Sequence, residues 1–234
     1  MTRVLVFEVW GEYGHFRKHY TTTSPLTFSI PSRTALTGLL GAIIGLSKEE
    51  YLGHFRRKQA QIGVRLMAPV KKVRFSENLI DTKKAGPLMN EIKNRTQIQY
   101  ELLKDPHFRV YFAHDDPEIQ RAARDLLSAH CSVYTPCLGL SEHIANFAYI
   151  GEFEAEEKQS KAVEIHTAIR SDEIGNLVFE PGRQYITEIM PAEMTDDRTV
   201  TDYPEVVFER NGHPIRVEGA RYWELEDEEH ITFL

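Results

Sequence analysis

Residues 14–24, GHFRKHYTTTS, set two imidazoles, two cations, a phenol and four hydroxyls side by side: His15, Arg17, Lys18, His19, Tyr20, Thr21, Thr22, Thr23 and Ser24. Two chemistries suit that set. A histidine can take the proton of a ribose 2′-hydroxyl and return one to the leaving oxygen, so His15 or His19, helped by Lys18 and Tyr20, could cleave RNA. His54 and His107 are further histidines of this kind. The same loop could instead bind a strand. Arg and Lys neutralise phosphates, short hydroxyls and backbone N–H groups position the chain, and Tyr or His rings stack on splayed bases. Binding accounts for the hydroxyls as well as the cations, whereas a histidine near a lysine is an unspecific sign of catalysis. A surface loop of chance composition is the third reading. No P-loop, dinucleotide fingerprint, HExxH or GxSxG occurs in the sequence. No cofactor or metal is expected.

The elements that must carry this loop can be read on either side of it. RVLVFEVW (Arg3 to Trp10) is β-branched and aromatic, the mark of a buried or half-buried strand. After the loop, Ser32 is a plausible N-cap for a helix from Arg33 to Leu46, whose start, with Arg33 and Thr34, would add an anion site beside the loop. Gly38, Gly41 and Gly45 fall on one helix face, where missing side chains would let another backbone come close. A proline-broken strand is expected over 61–75, with Lys71, Lys72 and Arg74 divided evenly between a binding and a solvated role. Arg56 to Lys58 are expected on a solvated helix face. Residues 76–97 have no sustained period and read as a long excursion, a projecting hairpin carrying Lys83, Lys84, Lys93 and Arg95. These could grip a strand or keep an exposed hairpin soluble. HFRVYFAHDD (His107 to Asp116) is a strand, and Asp116 with Pro117 opens a second helix. Strand and glycine turn follow over 131–154, then an acidic tail of short β-like pieces. The order strand, helix, strand, strand, helix, strand is the split βαβ plan. The expectation is therefore α+β: a ferredoxin-like (RRM-like) domain over 1–150, a hairpin over about 76–97, and a smaller β-rich region over 151–234.

Net charge is −7, but its distribution is uneven. Tyr13 to Phe75 holds eleven Lys/Arg and two acids, a net of +9, while Gly151 to Leu234 holds eight Lys/Arg and 21 acids, a net of −13. Such asymmetry suggests a basic half that meets a polyanion and an acidic half facing solvent or another partner. The two cysteines, Cys131 and Cys137, lack the spacing of a zinc site and are expected as buried thiols. The N-terminus does not read as a signal peptide, because Glu8 interrupts its apolar run. The longest apolar run, Ala35 to Leu46, is too short to span a bilayer. A soluble, cytoplasmic protein without a membrane partner is expected.

Several stretches resemble a known family. The strand ending in GEYGHFR, the threonine-rich YTTTSPLTFSIP, the helix PSRTALTGLLGAIIGL and the later TPCLGLSEHIANF (Thr135 to Phe147) look like the signature of the CRISPR-associated Cas-five family, in the flavour found with type I-B complexes. The resemblance covers about Arg3 to Phe147. It implies an RRM-like domain with a hairpin thumb, which 76–97 would supply, that caps one end of a surveillance complex. It also implies that this subunit holds the 5′ handle of the CRISPR RNA, meets target DNA only indirectly, and touches the adjacent backbone subunit and the large subunit. In the type I-C flavour the equivalent protein is an endoribonuclease using a tyrosine, a lysine and a histidine. No contiguous Lys–His pair of that pattern matches here, since Lys18–His19 lies in a different region. The resemblance thus implies a non-catalytic subunit with His15, Arg17, Lys18, His19, Tyr20, Thr21 to Ser24, Arg33 and Thr34 on the handle, and Lys83 and Lys84 on RNA or a neighbour. Processing of the precursor RNA by His15 or His19 with Tyr20 is the alternative.

Overall fold

The computed structural model describes residues 2–80, 95–226 and 228–234. Its centre is strand β1 (Thr2–Trp10), buried from Val4 to Phe7. An unbroken apolar run suits a strand covered on both faces, and β1 is hydrogen-bonded on both edges. On one side lies β5 (His107–His114), in antiparallel register Leu5↔Phe112 to Trp10↔His107; on the other lies the long β6 (Asn146–Ile165). The far edge of β5 takes β2 (Ala60–Leu66), and the second half of β6 takes β9 (Ile215–Leu225). The sheet runs β9–β6–β1–β5–β2, all antiparallel, with His230–Ile231 and Asn176–Val178 added beside β9. Between β2 and β5 the chain leaves the sheet as the antiparallel pair β3 (Lys72–Ile80) and β4 (Arg95–Lys104).

Two helices cover one face. Helix α1 (Arg33–Ile44) opens where the sequence places it, with the Ser32 hydroxyl accepting from Ala35 N–H at 3.2 Å. It stops two residues early, because Gly45 adopts the left-handed conformation, φ 91°, and caps it. Helix α2 (Pro117–Ser128) is capped by Asp116, whose Oδ1 accepts from Glu118 N–H at 2.8 Å, and buries Ile119, Ala123 and Leu127 at successive i, i+4 positions. Leu36, Leu39, Leu40 and Ile43 of α1 join those residues over Leu5, Phe7, Val9, Ile62, Val64, Phe108, Val110 and Phe112 of the sheet. Each such large side chain contributes roughly 1.5–3 kcal/mol on burial. Gly38 and Gly41 of α1 do not make the close approach to another backbone expected of them. A Cβ on Gly38 would meet no described atom within 4 Å, and one on Gly41 would touch Tyr51 rather than the sheet.

The second sheet face is closed by the chain's own last residues. Val4, Val6, Tyr111 and Ala113 pack there with Ala155, Leu225, Ile231 and Phe233. A Cβ on Gly63 would lie 2.7 Å from the Thr232 carbonyl, so the tail crosses the sheet where β2 has no side chain.

The acidic third is not set apart. Residue 150, the boundary expected from composition, falls within β6, which serves β1 with its first half and β9 with its second. Strands β7 (Tyr185–Ile189) and β8 (Glu205–Glu209) pair with each other, and Ile169–Arg170 adds to β8. From these segments Ala168, Met190, Val206 and Phe208 enter the same core as the helices. Cys131 and Cys137 are free thiols; Cys131 is exposed, not buried as expected. Among the described residues, no helix is long and apolar enough to cross a membrane.

Candidate nucleic-acid interface

The hydroxyl-rich loop closes on itself before it touches anything else. Phe28 N–H donates to the Phe16 carbonyl and Lys18 N–H to the Leu26 carbonyl, both at 2.8 Å. The Thr27 hydroxyl accepts from Phe16 N–H and donates to the Phe28 carbonyl. At the tip, the Thr21 hydroxyl donates to the Lys18 carbonyl and accepts from Leu26 N–H. These are the local side-chain-to-backbone bonds by which short hydroxyls shape turns. Thr21 thus has a structural task, while Thr22, Thr23 and Ser24 remain exposed.

Two carboxylates distant in sequence then hold the loop. Glu101, on β4, accepts from Thr27 N–H at 3.4 Å through its side chain, while its main-chain N–H donates to Pro25 and its carbonyl accepts from His15 Nδ1 at 2.8 Å. Lys72, on β3, completes the joint, 2.8 Å from the Thr27 carbonyl and 3.3 Å from the Glu101 carboxylate. Glu188, on β7, is buried and binds Ser29 N–H at 2.8 Å, the Ser29 hydroxyl at 3.3 Å and Lys18 Nζ at 2.8 Å. Gly139 supplies the third support. At φ 93°, it lets the turn in TPCLGL press on the loop so closely that a Cβ would sit 1.9 Å from the His15 carbonyl oxygen.

This packing sorts the residues proposed from sequence. His15 is only 1% exposed, and burial, the largest influence, pushes its pKa below the ordinary imidazole value; the bond to Glu101 offsets this in part. Neutral, it donates from Nδ1 to a carbonyl, and among the described residues its buried Nε2 has no partner. It therefore does not sit on the outer surface as expected. Nor does Lys18: burial works against its charge, but the Glu188 carboxylate and the nearby Tyr20 hydroxyl raise its pKa above the ordinary value. Arg33 is corrected most sharply. At 2% exposure its guanidinium donates to the carbonyls of Ala192, Phe55 and Ala60, and burial lowers its pKa to about 10. It joins α1 to the acidic third instead of extending an anion site. Thr34 lies there too, with its N–H and hydroxyl both directed at the Pro191 carbonyl.

Arg17, His19, Tyr20, Thr22, Thr23 and Ser24 are brought together on the exposed side. Among the described residues, Arg17 is held by the carbonyls of Thr21, at 2.9 Å, and Thr22, at 3.5 Å, and by no carboxylate. Its full positive charge therefore faces outward. Tyr20 is 62% exposed and its ring stands edge-on to His19, 5.1 Å between centroids. Beside the loop, β3 and β4 place Lys72, Arg74, Ser76 and Asn78 opposite Leu103, Glu101, Gln99 and Gln97 on one face, and Phe75 and Leu79 on the other. Phe75 meets Tyr13 edge-on at 5.2 Å, and Lys104 Nζ stands 4.3 Å over the Tyr13 ring. Lys83 and Lys84 lie outside the described residues. Arg56 and Arg57 are not on a solvated helix face: Arg56 binds Asp196 and the Met194 carbonyl, and Arg57 binds Glu173 and Glu193. Among the described residues, no three His, Cys, Asp or Glu side chains come together to hold a metal ion.

Glu101, Glu188 and Gly139 were not proposed as supports from composition or spacing. Gly139 alone had a signal, its place in the TPCLGL stretch. The carboxylates had none, because each acts 74 residues or more from the loop residues it binds.

The strand-rich α+β fold of this chain has counterparts among solved CRISPR proteins. It is similar to a chain of a CRISPR RNA-guided surveillance complex, with TM-score 0.54 and 14% identity over 90% of this chain and 91% of that one. It is also similar to a CRISPR protein from Archaeoglobus fulgidus, with TM-score 0.57 and 14% identity over 99% of both chains. A third similar chain belongs to a type III-B Cmr-beta complex bound to cognate target RNA and AMPPnP, with TM-score 0.52 and 12% identity over 92% and 86%. No curated protein sequence matches the chain significantly. The family model of the CRISPR-associated proteins described as Cas_Cas5 matches residues 4–221, and the chain belongs to that family.

Proposed function

We propose that this chain is a non-catalytic subunit of a type I CRISPR effector complex, of the I-B flavour, that holds the 5′ handle of the CRISPR RNA and caps the row of backbone subunits. The observation that carries the reading is the outward-facing group Arg17, His19, Tyr20, Thr22, Thr23 and Ser24, fixed by Glu101 and Glu188 at the foot of the β3–β4 hairpin. A handle kept for the life of a complex needs phosphate contacts and stacking surfaces that are rigid before binding. Family membership supports a place among effector-complex subunits. The order β6–β1–β5–β2, with α1 and α2 on one face, supports the ferredoxin-like reading, and the β3–β4 pair supports a thumb. Because the sheet's second face is filled by Thr232, Phe233 and neighbours, the RNA surface in this reading is the loop and hairpin rather than the open sheet. The backbone subunit, the large subunit and, indirectly, target DNA are the partners it implies.

The test is a repeat-derived transcript incubated, without metal, with the purified chain and with the co-expressed complex. Intact RNA retained by the protein is expected. Arg17→Ala should weaken retention and lower the salt slope of log K by about 0.7, the share of one phosphate on a single strand. Specific cleavage abolished by His19→Ala would replace this reading with a processing enzyme. Absence of RNA from both preparations would remove it.

A further inference from the structure

Next to the loop, the acidic third contributes a ring where none was expected. Tyr203 lies between β7 and β8, is 41% exposed, and stands 4.8 Å from the His19 ring with the planes tilted by 48°. His19 in turn meets Tyr20 at 5.1 Å, almost perpendicular. Three rings from two segments of the chain, about 180 residues apart, thus form one continuous exposed surface. Its foundation is rigid. Lys18, next to His19 in the chain, forms an ion pair with Glu188, Asp202 binds Arg170 at 2.9 Å, and main-chain bonds Ala192 N–H to Asp202 and Met190 N–H to Pro204 fix the chain on both sides of Tyr203.

We infer that Tyr203, His19 and Tyr20 form a stacking platform for an unpaired RNA base, and that Tyr203 is an RNA-contacting residue supplied by the acidic third. The assignment rests on the RNA-holding reading above and extends it to a region whose net charge argues against such a role. Exposed aromatic rings clustered on a monomer mark an interaction surface. A base fits better than an apolar protein segment for two reasons. The rings are amphipathic, and the loop that carries His19 and Tyr20 also exposes Arg17, Thr22, Thr23 and Ser24, which suits a phosphate-linked strand. The carboxylates of the foundation, Glu188 and Asp202, are each paired with a cation, which leaves the Arg17 charge to act on the approaching strand.

The experiment uses the full chain and a repeat-derived single-stranded RNA carrying 2-aminopurine at successive positions, whose fluorescence falls when that base stacks. Wild type, Tyr203→Ala, Tyr203→Phe and Arg17→Ala are compared, with the DNA version of the strand alongside. One position is expected to be quenched by wild type and by Tyr203→Phe. Tyr203→Ala should lose that quench and bind about 5- to 150-fold more weakly, the effect of one stacked base. Unchanged quench and affinity in Tyr203→Ala, alongside weakened Arg17→Ala, would overturn the platform while the RNA-holding reading stands. A loss seen only with DNA, or one seen only as failure to assemble with partner subunits, would also overturn it. No RNA binding by wild type, alone or in the complex, would bring down both. A thermal midpoint within about 2 °C of wild type excludes misfolding, as suits an exposed side chain.

Discussion

Two groups of basic side chains in this molecule, one on the sheet face and one on the loop, differ in what the fold leaves exposed. On the sheet face, Glu8, Arg109 and Arg65 lie across adjacent strands, and Glu229 from the tail joins Arg65, Arg109 and the Tyr111 hydroxyl. His107 also binds Glu8, at 2.8 Å. Arg65, Arg109 and His107 each have a carboxylate there. On the loop, Lys18 has been taken by Glu188 in the same manner, but among the described residues Arg17 is bound by carbonyls alone and keeps its charge directed outward. Count of basic residues therefore says little about where a polyanion would bind. What matters is which cations the fold has already neutralised. Part of the contrast between the +9 and −13 segments is answered within the chain, by the four pairs Lys18–Glu188, Arg56–Asp196, Arg57–Glu173 and Arg65–Glu229. Seven of the eleven cations in residues 13–75 are left out of these four pairs, so the acidic third supplies counter-charge to part of the basic half.

The sharpest way to break this comparison is Gly139→Ala. A methyl 1.9 Å from the His15 carbonyl, at a left-handed φ, forces the loop off its support, and a cost of about 3–5 kcal/mol is expected in chemical denaturation, with RNA retention lost as well. A Gly139→Ala protein of native stability would mean that the TPCLGL turn does not carry the loop. On the sheet face, Glu229→Ala leaves Arg65, Arg109 and Tyr111 without their shared acceptor. It should cost about 2–4 kcal/mol while RNA affinity of the folded protein stays unchanged. Altered RNA affinity there would erase the distinction between the two regions. Glu188→Gln keeps an acceptor for Ser29 but removes the charge opposite Lys18; about 1–2 kcal/mol is expected, with amide exchange rising over 18–29 before elsewhere.

The smallest effect is in pH. His15 has a folded pKa below its unfolded value, so its contribution to stability is fully present above about pH 6.5 and declines as pH falls towards the folded pKa, by at most about 1.4 kcal/mol per unit. Glu8 has the same sign in a lower window. Burial opposes its charge, but Arg109 and His107 hold its carboxyl below the ordinary range, so its contribution is lost only on stronger acidification. Stability measured from pH 7 to pH 5 should fall less steeply for His15→Gln than for wild type. Equal slopes would show that His15 is not the group responsible.

Local rules made much of the framework legible. Ser32 and Asp116 capped the helices where short polar side chains before a periodic run should, and RVLVFEVW and HFRVYFAH became adjacent central strands. The glycines of α1 misled, because periodicity identifies a shared helix face but not what lies opposite it. The site was legible as a set of residues rather than as a surface. Its chemistry is written in types that follow one another along the chain, whereas exposure depends on partners from elsewhere.

The sequence by itself determined the elements, their caps and turns, and the chemical character of residues 14–24, since these follow from interactions over a few positions. Only the tertiary structure decided that His15, Lys18 and Arg33 turn inward, that Arg17 and Tyr20 face out, and that Tyr203 stands beside them. A cation or ring acts on the solvent side only if no distant carboxylate, carbonyl or apolar surface claims it first, and contacts such as Ser29 with Glu188 or Arg65 with Glu229 span about 160 positions that no local pattern can bridge.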